Sequence, residues 1–178
     1  MKQFFNIVRP LKKVLGFKGA SPQEKTEAFS ETDRFKACGV FMTTSAYKVV
    51  TEYNLDYGYY RSAEPFFVVK TEKELLKAIK DALEASWYVG ACINLSTKDY
   101  LKRLKERSFK HLYHNSTSCF IRLKGNRLEI TKYELHPSGH YLQENPDKVN
   151  LLIDEVGWDG ALQVILNILN QENDSKSR

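Results

Sequence analysis

The residues best suited to acid–base or metal chemistry are the four histidines, His111, His114, His136 and His140. The first pair can share one face of a helix, the second pair lies four residues apart, and Cys119 would add a thiolate, so the residue types match a zinc site. Three loop-forming residues separate the second pair, and no Cys-x-x-Cys accompanies the first. We therefore expect surface or capping histidines and no metal site.

The same residue types occur in nucleases. His111 and His114 lie near lysines and could act as general base and general acid on a phosphodiester. Their spacing, however, is not one that this chemistry requires. The sequence also has no Gly-x-Ser-x-Gly motif, no P-loop and no dinucleotide-binding fingerprint. We expect no catalysis and no cofactor, and an unrecognised nuclease remains a third hypothesis.

A basic segment spans Lys98–Lys110. It contains six cations against Asp99 and Glu106, with Tyr100 and Phe109 among them. Cations interleaved with aromatic rings are typical of nucleic-acid-binding surfaces. They are equally typical of the solvated face of an amphipathic helix, which is the interpretation we favour. A nucleic-acid-binding module that uses this helix is the alternative to the function reached below.

The C-terminal part of the chain is acidic although the whole protein has a net charge of +5. Residues 144–174 have a net charge of −6, and residues 1–143 have +9. One interpretation is an acidic face that docks a basic protein. The other is that the carboxylates stabilise the N-terminus of the last helix. Both interpretations stay open for five of the seven acidic residues of this part, Glu144, Asp147, Asp154, Glu155 and Asp159.

A β-hairpin is predicted at Cys119–Ile130, and we expect it to form the middle of an antiparallel sheet. Apolar and polar residues alternate on both sides of Gly125-Asn126, a dipeptide suited to a tight turn. The predicted register places Leu123 opposite Leu128, Ile121 opposite Ile130, and Arg122 opposite Glu129. Because a shift of one residue would mix polar and apolar side chains on each face, the pattern specifies this register.

Two helices have clear signals. Thr71 and Glu74 form a capping box, and a helix is predicted from there to about Ser86. The last helix is predicted from Trp158 to Gln171, where apolar residues recur at helical spacing over a wide face.

The remaining elements have weaker patterns. An aromatic loop is predicted at Asp56–Pro65, and a charged helix from Ser96 or Thr97 to about Arg107. Strands are predicted at Phe35–Thr43, Tyr47–Tyr53, Phe66–Val69, Trp87–Leu95, Ser138–Gln143 and Val149–Ile153.

These elements predict a single α/β (α+β) domain over residues 1–178, with helices packed on a mixed, mostly antiparallel sheet. A mobile loop near 16–33 and a frayed tail at 173–178 are expected. The length of 178 residues and the hydrophobic content of 42% suit one domain with a real core.

Several features bear on localisation. No apolar run approaches the roughly 18 residues of a membrane span, and the N-terminus lacks the apolar region of a signal peptide. The three cysteines, Cys38, Cys92 and Cys119, are scattered and set among apolar residues. They indicate buried thiols in a reducing compartment, so we expect a cytoplasmic protein.

A series of aromatic and apolar landmarks runs from Tyr57 to Gln171. They are Gly58-Tyr59-Tyr60-Arg61, Pro65-Phe66-Phe67-Val68-Val69, the helix Leu75–Ser86, Leu112-Tyr113-x-Asn115, Ser118-Cys119-x-Ile121, the strand Leu128–Ile130 and an apolar helix opened by Gly157. In this order they resemble the immunity proteins of bacterial contact-dependent growth inhibition, the CdiI type.

The resemblance implies a small cytoplasmic antitoxin without catalysis of its own. Such proteins bind the C-terminal toxin domain delivered by a neighbouring cell and block it, usually by covering its active site. Many of these toxins are nucleases with basic substrate grooves, which an acidic surface would fit. We therefore expect a protein partner, and no membrane or nucleic acid. The expected toxin-binding residues are Glu144, Asp147, Asp154, Glu155 and Asp159, with Tyr57, Tyr59 and Tyr60 as anchors.

Overall fold

The computed structural model describes residues 35–55, 59–86 and 95–171. The strands in these ranges are β1 (Lys36–Thr43), β2 (Tyr47–Leu55), β3 (Tyr59–Val69), β4 (Ser116–Lys124), β5 (Arg127–Leu135) and β6 (Leu142–Leu152). The helices are α1 (Glu72–Ala85), α2 (Thr97–Arg103), α3 (Phe109–His114) and α4 (Ile153–Asn170). No helix in these ranges is long and apolar enough to cross a membrane.

The six strands form one sheet in the order β3-β2-β1-β4-β5-β6, and each neighbouring pair is antiparallel. Because β1 and β4 pair at the centre, two three-stranded meanders join there. The helices pack on this sheet, which confirms the predicted α+β fold class.

The central hairpin has the predicted register. Leu123 pairs with Leu128, Ile121 with Ile130, and Arg122 with Glu129. Ile121, Leu128 and Ile130 are almost completely buried. Removing an aliphatic side chain of this size from water contributes about 1.5–3 kcal/mol, which explains why the alternating pattern fixes the register.

The main core lies between one face of the sheet and the helices α1 and α4. At the start of α1 the capping box is present: the Glu74 amide donates to Thr71 Oγ1 at 3.3 Å, and the Thr71 amide donates to Glu74 Oε2 at 3.1 Å. Since these bonds satisfy amides that lack helical partners, they fix where the helix begins. The buried stripe of α1 is Leu75, Ala78, Ile79, Ala82 and Leu83.

The last helix begins earlier than predicted. Helix α4 starts at Ile153, directly after β6, but Gly157 has a φ of 66° and interrupts it. The predicted start at Trp158 is therefore the start of its regular part. Glycine suits this position because a side chain would be strained at such a φ.

The predicted aromatic loop at Asp56–Pro65 was wrong for residues 59–65. Strand β3 begins at Tyr59 and pairs with β2 across a register shift between Val50 and Thr51. Tyrosine and phenylalanine favour strands, and a bulge lets a long hairpin bend without losing its pairing.

The two predicted strands Ser138–Gln143 and Val149–Ile153 were correct only in part. Leu142–Gln143 and Val149–Leu152 are extended, but they belong to the single strand β6, whereas residues 138–141 form the turn before it and Ile153 begins α4. Asn145-Pro146-Asp147 lies inside β6, at the register shift opposite Thr131 and Tyr133. The Asp147 amide donates to Asn145 Oδ1 at 2.8 Å. Proline is accepted here because β6 is an edge strand with a bulge, where one ladder bond is not needed.

The charged helix was predicted to extend to about Arg107, but the observed helix is shorter. Ser96 caps α2 as predicted, but α2 ends at Arg103, and Lys105 has a positive φ of 53°. The second short helix, α3, follows at Phe109. The predicted strand Trp87–Leu95, except its last residue, lies outside the described residues. So do the loop near 16–33 and the tail at 173–178.

Candidate functional site

Polar and aromatic side chains gather on the sheet surface opposite α1 and α4, which we call the polar face. Because side chains alternate along a strand, residues next to core positions of β1, β2, β4 and β5 point to this face. It carries Glu52, Ser62, Phe120, Arg122 and Tyr133, whose registers place them on one side of the sheet. The helices α2 and α3 pack on part of this face through a small apolar cluster, Phe41, Val50, Leu104 and Leu112.

A buried ion pair fastens the segment between α2 and α3 to the sheet. The Lys48 ammonium on β2 pairs with Glu106 and donates to the carbonyl oxygen of Leu104 at 2.8 Å. The other carboxylate oxygen of Glu106 lies 2.7 Å from Nδ1 of His111. Burial raises the pKa of Glu106, but hydrogen bonds from Lys48 and His111 outweigh that effect, so the pKa lies below its usual value. His111 is thus a partner of this ion pair.

The Glu52 carboxyl lies on the polar face where β1, β2 and β3 are neighbours. The Ser62 hydroxyl donates to Glu52 Oε1 at 2.6 Å. Gly39 leaves space beside it, because a Cβ at that position would lie 3.9 Å from the same oxygen. Burial raises the pKa of Glu52 to about 8, and the bond from Ser62 offsets only part of this. Near neutral pH the carboxyl is therefore mostly protonated.

Two rows of aromatic rings lie on the polar face. In the first row, Phe120 contacts Tyr60 and Tyr133, with ring centroids 4.9 Å and 5.9 Å apart. The second row connects Phe66, Tyr100, Phe109 and Tyr113, with centroids 5.2–5.6 Å apart. Burial raises the pKa of Tyr100, Tyr113 and Tyr133, and the negative charge of Glu52 adds to this effect at all three.

Arg122 sits beside the first row of rings. Its guanidinium carbon lies 5.3 Å and 5.0 Å from the ring centroids of Tyr60 and Phe120, a cation–π arrangement. Nη1 lies 2.6 Å from Glu129, as the hairpin register predicts, and Nη2 lies 2.9 Å from Glu144. Burial lowers the pKa of Arg122, but the bond to Glu129 and the nearby negative charges outweigh that effect and raise it. Arg122 therefore remains charged and fixed in place.

The predicted toxin-binding residues do not form one surface. Tyr60 and Glu144 lie on the polar face, Asp147 is exposed in the bulge of β6, and Tyr57 and the Tyr59 side chain lie outside the described residues. The other three are exposed at the start of α4, which packs on the opposite face, and Asp154 accepts a hydrogen bond from Asn126 at 2.8 Å. These three are Asp154, Glu155 and Asp159.

The histidines occupy separate places. His111 joins Glu106, whereas His136 stacks on Tyr141 with centroids 4.2 Å apart. Within residues 35–55, 59–86 and 95–171, no group of three His, Cys, Asp or Glu side chains could hold a metal ion. Cys119 is buried, and burial raises its pKa to about 12, so its thiol is not a ready thiolate ligand.

Reasoning from sequence missed Glu52 and Ser62. The available signal was a carboxylate in the strand Tyr47–Tyr53, whose other residues, apart from Lys48 and Thr51, are apolar or aromatic. Only the register of β1, β2 and β3 shows that this carboxylate adjoins Gly39 and Ser62. The site offers a neutral acid, a fixed guanidinium and several phenol groups. This set suits recognition of a charged or hydrogen-bonding partner group.

The protein has an α+β fold with a six-stranded antiparallel sheet, and solved structures of other proteins have a similar fold. One is a protein of unknown function from Neisseria meningitidis, with a TM-score of 0.56 and 15% identity over 84% of this chain and 99% of that chain. Another is a chain of the CdiA-CT/CdiI toxin and immunity complex from Yersinia pseudotuberculosis, with a TM-score of 0.55 and 16% identity over 77% of this chain and 98% of that chain. No family model and no curated protein matches the sequence.

Proposed function

We propose that this protein is an immunity protein of bacterial contact-dependent growth inhibition, which binds and neutralises the C-terminal toxin domain of its cognate effector. The observation that carries the proposal is the shared fold with a chain of a toxin and immunity complex, which extends over nearly all of that chain. The order of aromatic and apolar landmarks from Tyr57 to Gln171 supports it independently.

The charges of the molecule support the same partner. In this proposal the toxin domain is a nuclease, whose substrate groove must be basic to hold a nucleic acid. The exposed carboxylates at the start of α4 would attract such a domain over several ångströms, and salt would screen the attraction. Neutralisation follows from covering the toxin's active site, so this protein needs no catalytic group. It would act in the cytoplasm, where the delivered toxin meets its target.

The proposal is tested by co-expression. If the proposal is correct, a large secreted protein is encoded next to this gene, and induction of its C-terminal domain should stop growth. We expect growth to be restored when this protein is produced in the same cells, and not when an unrelated immunity protein replaces it. Growth arrest that persists at equal levels of soluble protein would contradict the proposal.

A nucleic-acid-binding module is the second candidate, because the six cations of α2, α3 and their connection are exposed on one segment: Lys98, Lys102, Arg103, Lys105, Arg107 and Lys110. If they contact phosphates, RNA or DNA binding should weaken steeply with salt, and Lys102→Gln with Lys110→Gln should reduce the salt slope by about two. Lys73→Gln, an exposed change on α1, is the matched control. Binding that is absent at low salt would exclude this candidate.

A further inference from the structure

We infer that the toxin domain docks on the junction of β6 and α4, with an apolar surface that is flanked by lysines or arginines. The side chains that receive it are Val149, Leu152 and Val156, which we call the junction patch. This inference deepens the proposed function and rests on it. It names the residues that hold the complex together and the chemistry of the toxin surface that fits them.

The first argument is the exposure of the junction patch. Val149, Leu152 and Val156 are 36%, 39% and 40% exposed, and among the described residues one other large apolar side chain, Tyr141, is comparably exposed. The Cα atoms of Leu152 and Val156 lie about 6 Å apart across one helical turn, and Val149 lies about 10 Å from Leu152 along the strand. Single exposed apolar side chains are ordinary on a protein surface, whereas a group of three at one place is typical of a surface that a partner covers.

The second argument is the position of Leu152 at the start of α4. It is the N-cap residue and has an extended backbone, and no side-chain hydrogen bond caps the helix there. Leucine is a poor N-cap, whereas asparagine, aspartate and serine accept a hydrogen bond from an amide of the first turn. The chain thus exposes an apolar side chain where a polar one would stabilise the fold. Such departures from local preference are expected at functional sites.

The third argument is the break in α4 at Gly157, which directly follows the junction patch. Gly157 has a φ of 66° and a ψ of 171°, so residues 153–156 form a turn that is separate from the regular helix. The buried residues of α4 all come after this break, beginning at Ala161. Packing in the core therefore does not explain why Val156 is apolar, and contact with a partner does.

The charges around the junction patch indicate which partner covers it. Residues 149–159 contain no lysine or arginine and three carboxylates, which are Asp154, Glu155 and Asp159. Arg127 lies opposite Leu152 in the register of β5 and β6, so the surroundings carry a net charge of −2 (one minus three). A second copy of this chain would bring the same negative charge and be repelled. A toxin surface with an apolar centre and a basic rim is complementary to the patch.

The test is the binding kinetics of the toxin domain with the variants Leu152→Asn and Val156→Ser. Loss of a buried apolar contact acts mainly on dissociation, whereas loss of charge acts mainly on association. We therefore expect each variant to dissociate about fivefold faster or more, with an association rate within about twofold of the wild type. Tyr141→Ser is the matched control, because it removes a comparably exposed apolar side chain just before the other end of β6. It should leave both rates unchanged.

Thermal unfolding of Leu152→Asn separates a role in binding from a role in folding. Because asparagine is a better N-cap than leucine, this variant should unfold at the wild-type temperature or slightly above it while it loses affinity. A lower unfolding temperature would show that Leu152 serves the fold, and it would overturn the inference.

The kinetic outcomes separate the inference from the proposed function. Wild-type dissociation rates in Leu152→Asn and Val156→Ser would overturn the inference and leave the proposed function intact. An equal increase in Tyr141→Ser would do the same, because it would remove the reason to place the contact at the junction. Absence of any binding by the wild-type protein at micromolar concentrations would overturn the proposed function, and the inference with it.

Discussion

The surroundings of the Glu52 carboxyl decide its charge. Its raised pKa of about 8 means that the folded protein holds a proton that the unfolded chain releases above pH 4.5. The contribution of this group to stability is fully present below that pH and is lost as the pH rises to about 8. An ordinary exposed glutamate, such as Glu72 on α1, lacks this burial.

We therefore predict that Glu52→Gln increases the free energy of unfolding at about pH 8.5 by about 2 kcal/mol relative to the wild type. The full pKa shift from 4.5 to about 8 would correspond to a larger change in the free energy of unfolding. We reduce that value because the residue is partly exposed. At about pH 4 the two proteins should differ little. Urea unfolding at both pH values measures the difference, and Glu72→Gln is the control. An equal effect at the two pH values would show that the Glu52 pKa is not raised.

The elements differ in how far the sequence predicts them. The β4–β5 register follows from alternation around Gly125-Asn126, and the start of α1 follows from Thr71 and Glu74, because both signals are local. The length of β3 and the continuity of β6 through Pro146 depend on pairing with strands distant in sequence. The break between α2 and α3 depends likewise on Lys48, 58 residues away from Glu106.

The ion pair between Lys48 and Glu106 should stabilise the α2–α3 segment. Their side chains are only 5% and 7% exposed, so Glu106→Gln would leave a buried ammonium without its anion. We predict a loss of about 3 kcal/mol in the free energy of unfolding and faster amide hydrogen exchange in α3.

The matched control for this change is Glu84→Gln. It removes the ion pair with Lys36, in which the Glu84 side chain is 65% exposed. Exposed ion pairs contribute little, so this variant should lose less than about 0.5 kcal/mol. Equal losses in the two variants would contradict the structural role of the buried pair.

On the whole molecule, two groups of exposed charges of opposite sign lie on opposite faces of the sheet. Exposed carboxylates lie at the start of α4 on one face of the sheet, and exposed cations lie on α2 and α3, which pack on the other. Composition alone predicts the imbalance along the chain. The fold is needed to show that Glu144, held by Arg122, is separate from Asp154 and its neighbours.

We predict that the triple change Asp154→Asn, Glu155→Gln and Asp159→Asn slows association with the toxin domain several-fold at low salt. The dissociation rate should change much less, and the effect should fade as salt increases. Stopped-flow kinetics at several salt concentrations measure it, with Glu72→Gln as control. An unchanged association rate would contradict the prediction and would leave stabilisation of the α4 N-terminus as the role of these carboxylates.

The most direct test of the immunity function is titration of the purified toxin domain with this protein, followed by assay of the toxin's nuclease activity on the same samples. The predicted result is a tight one-to-one complex whose formation removes the activity in proportion. A toxin domain that stays fully active in the presence of excess folded protein would contradict the proposed function.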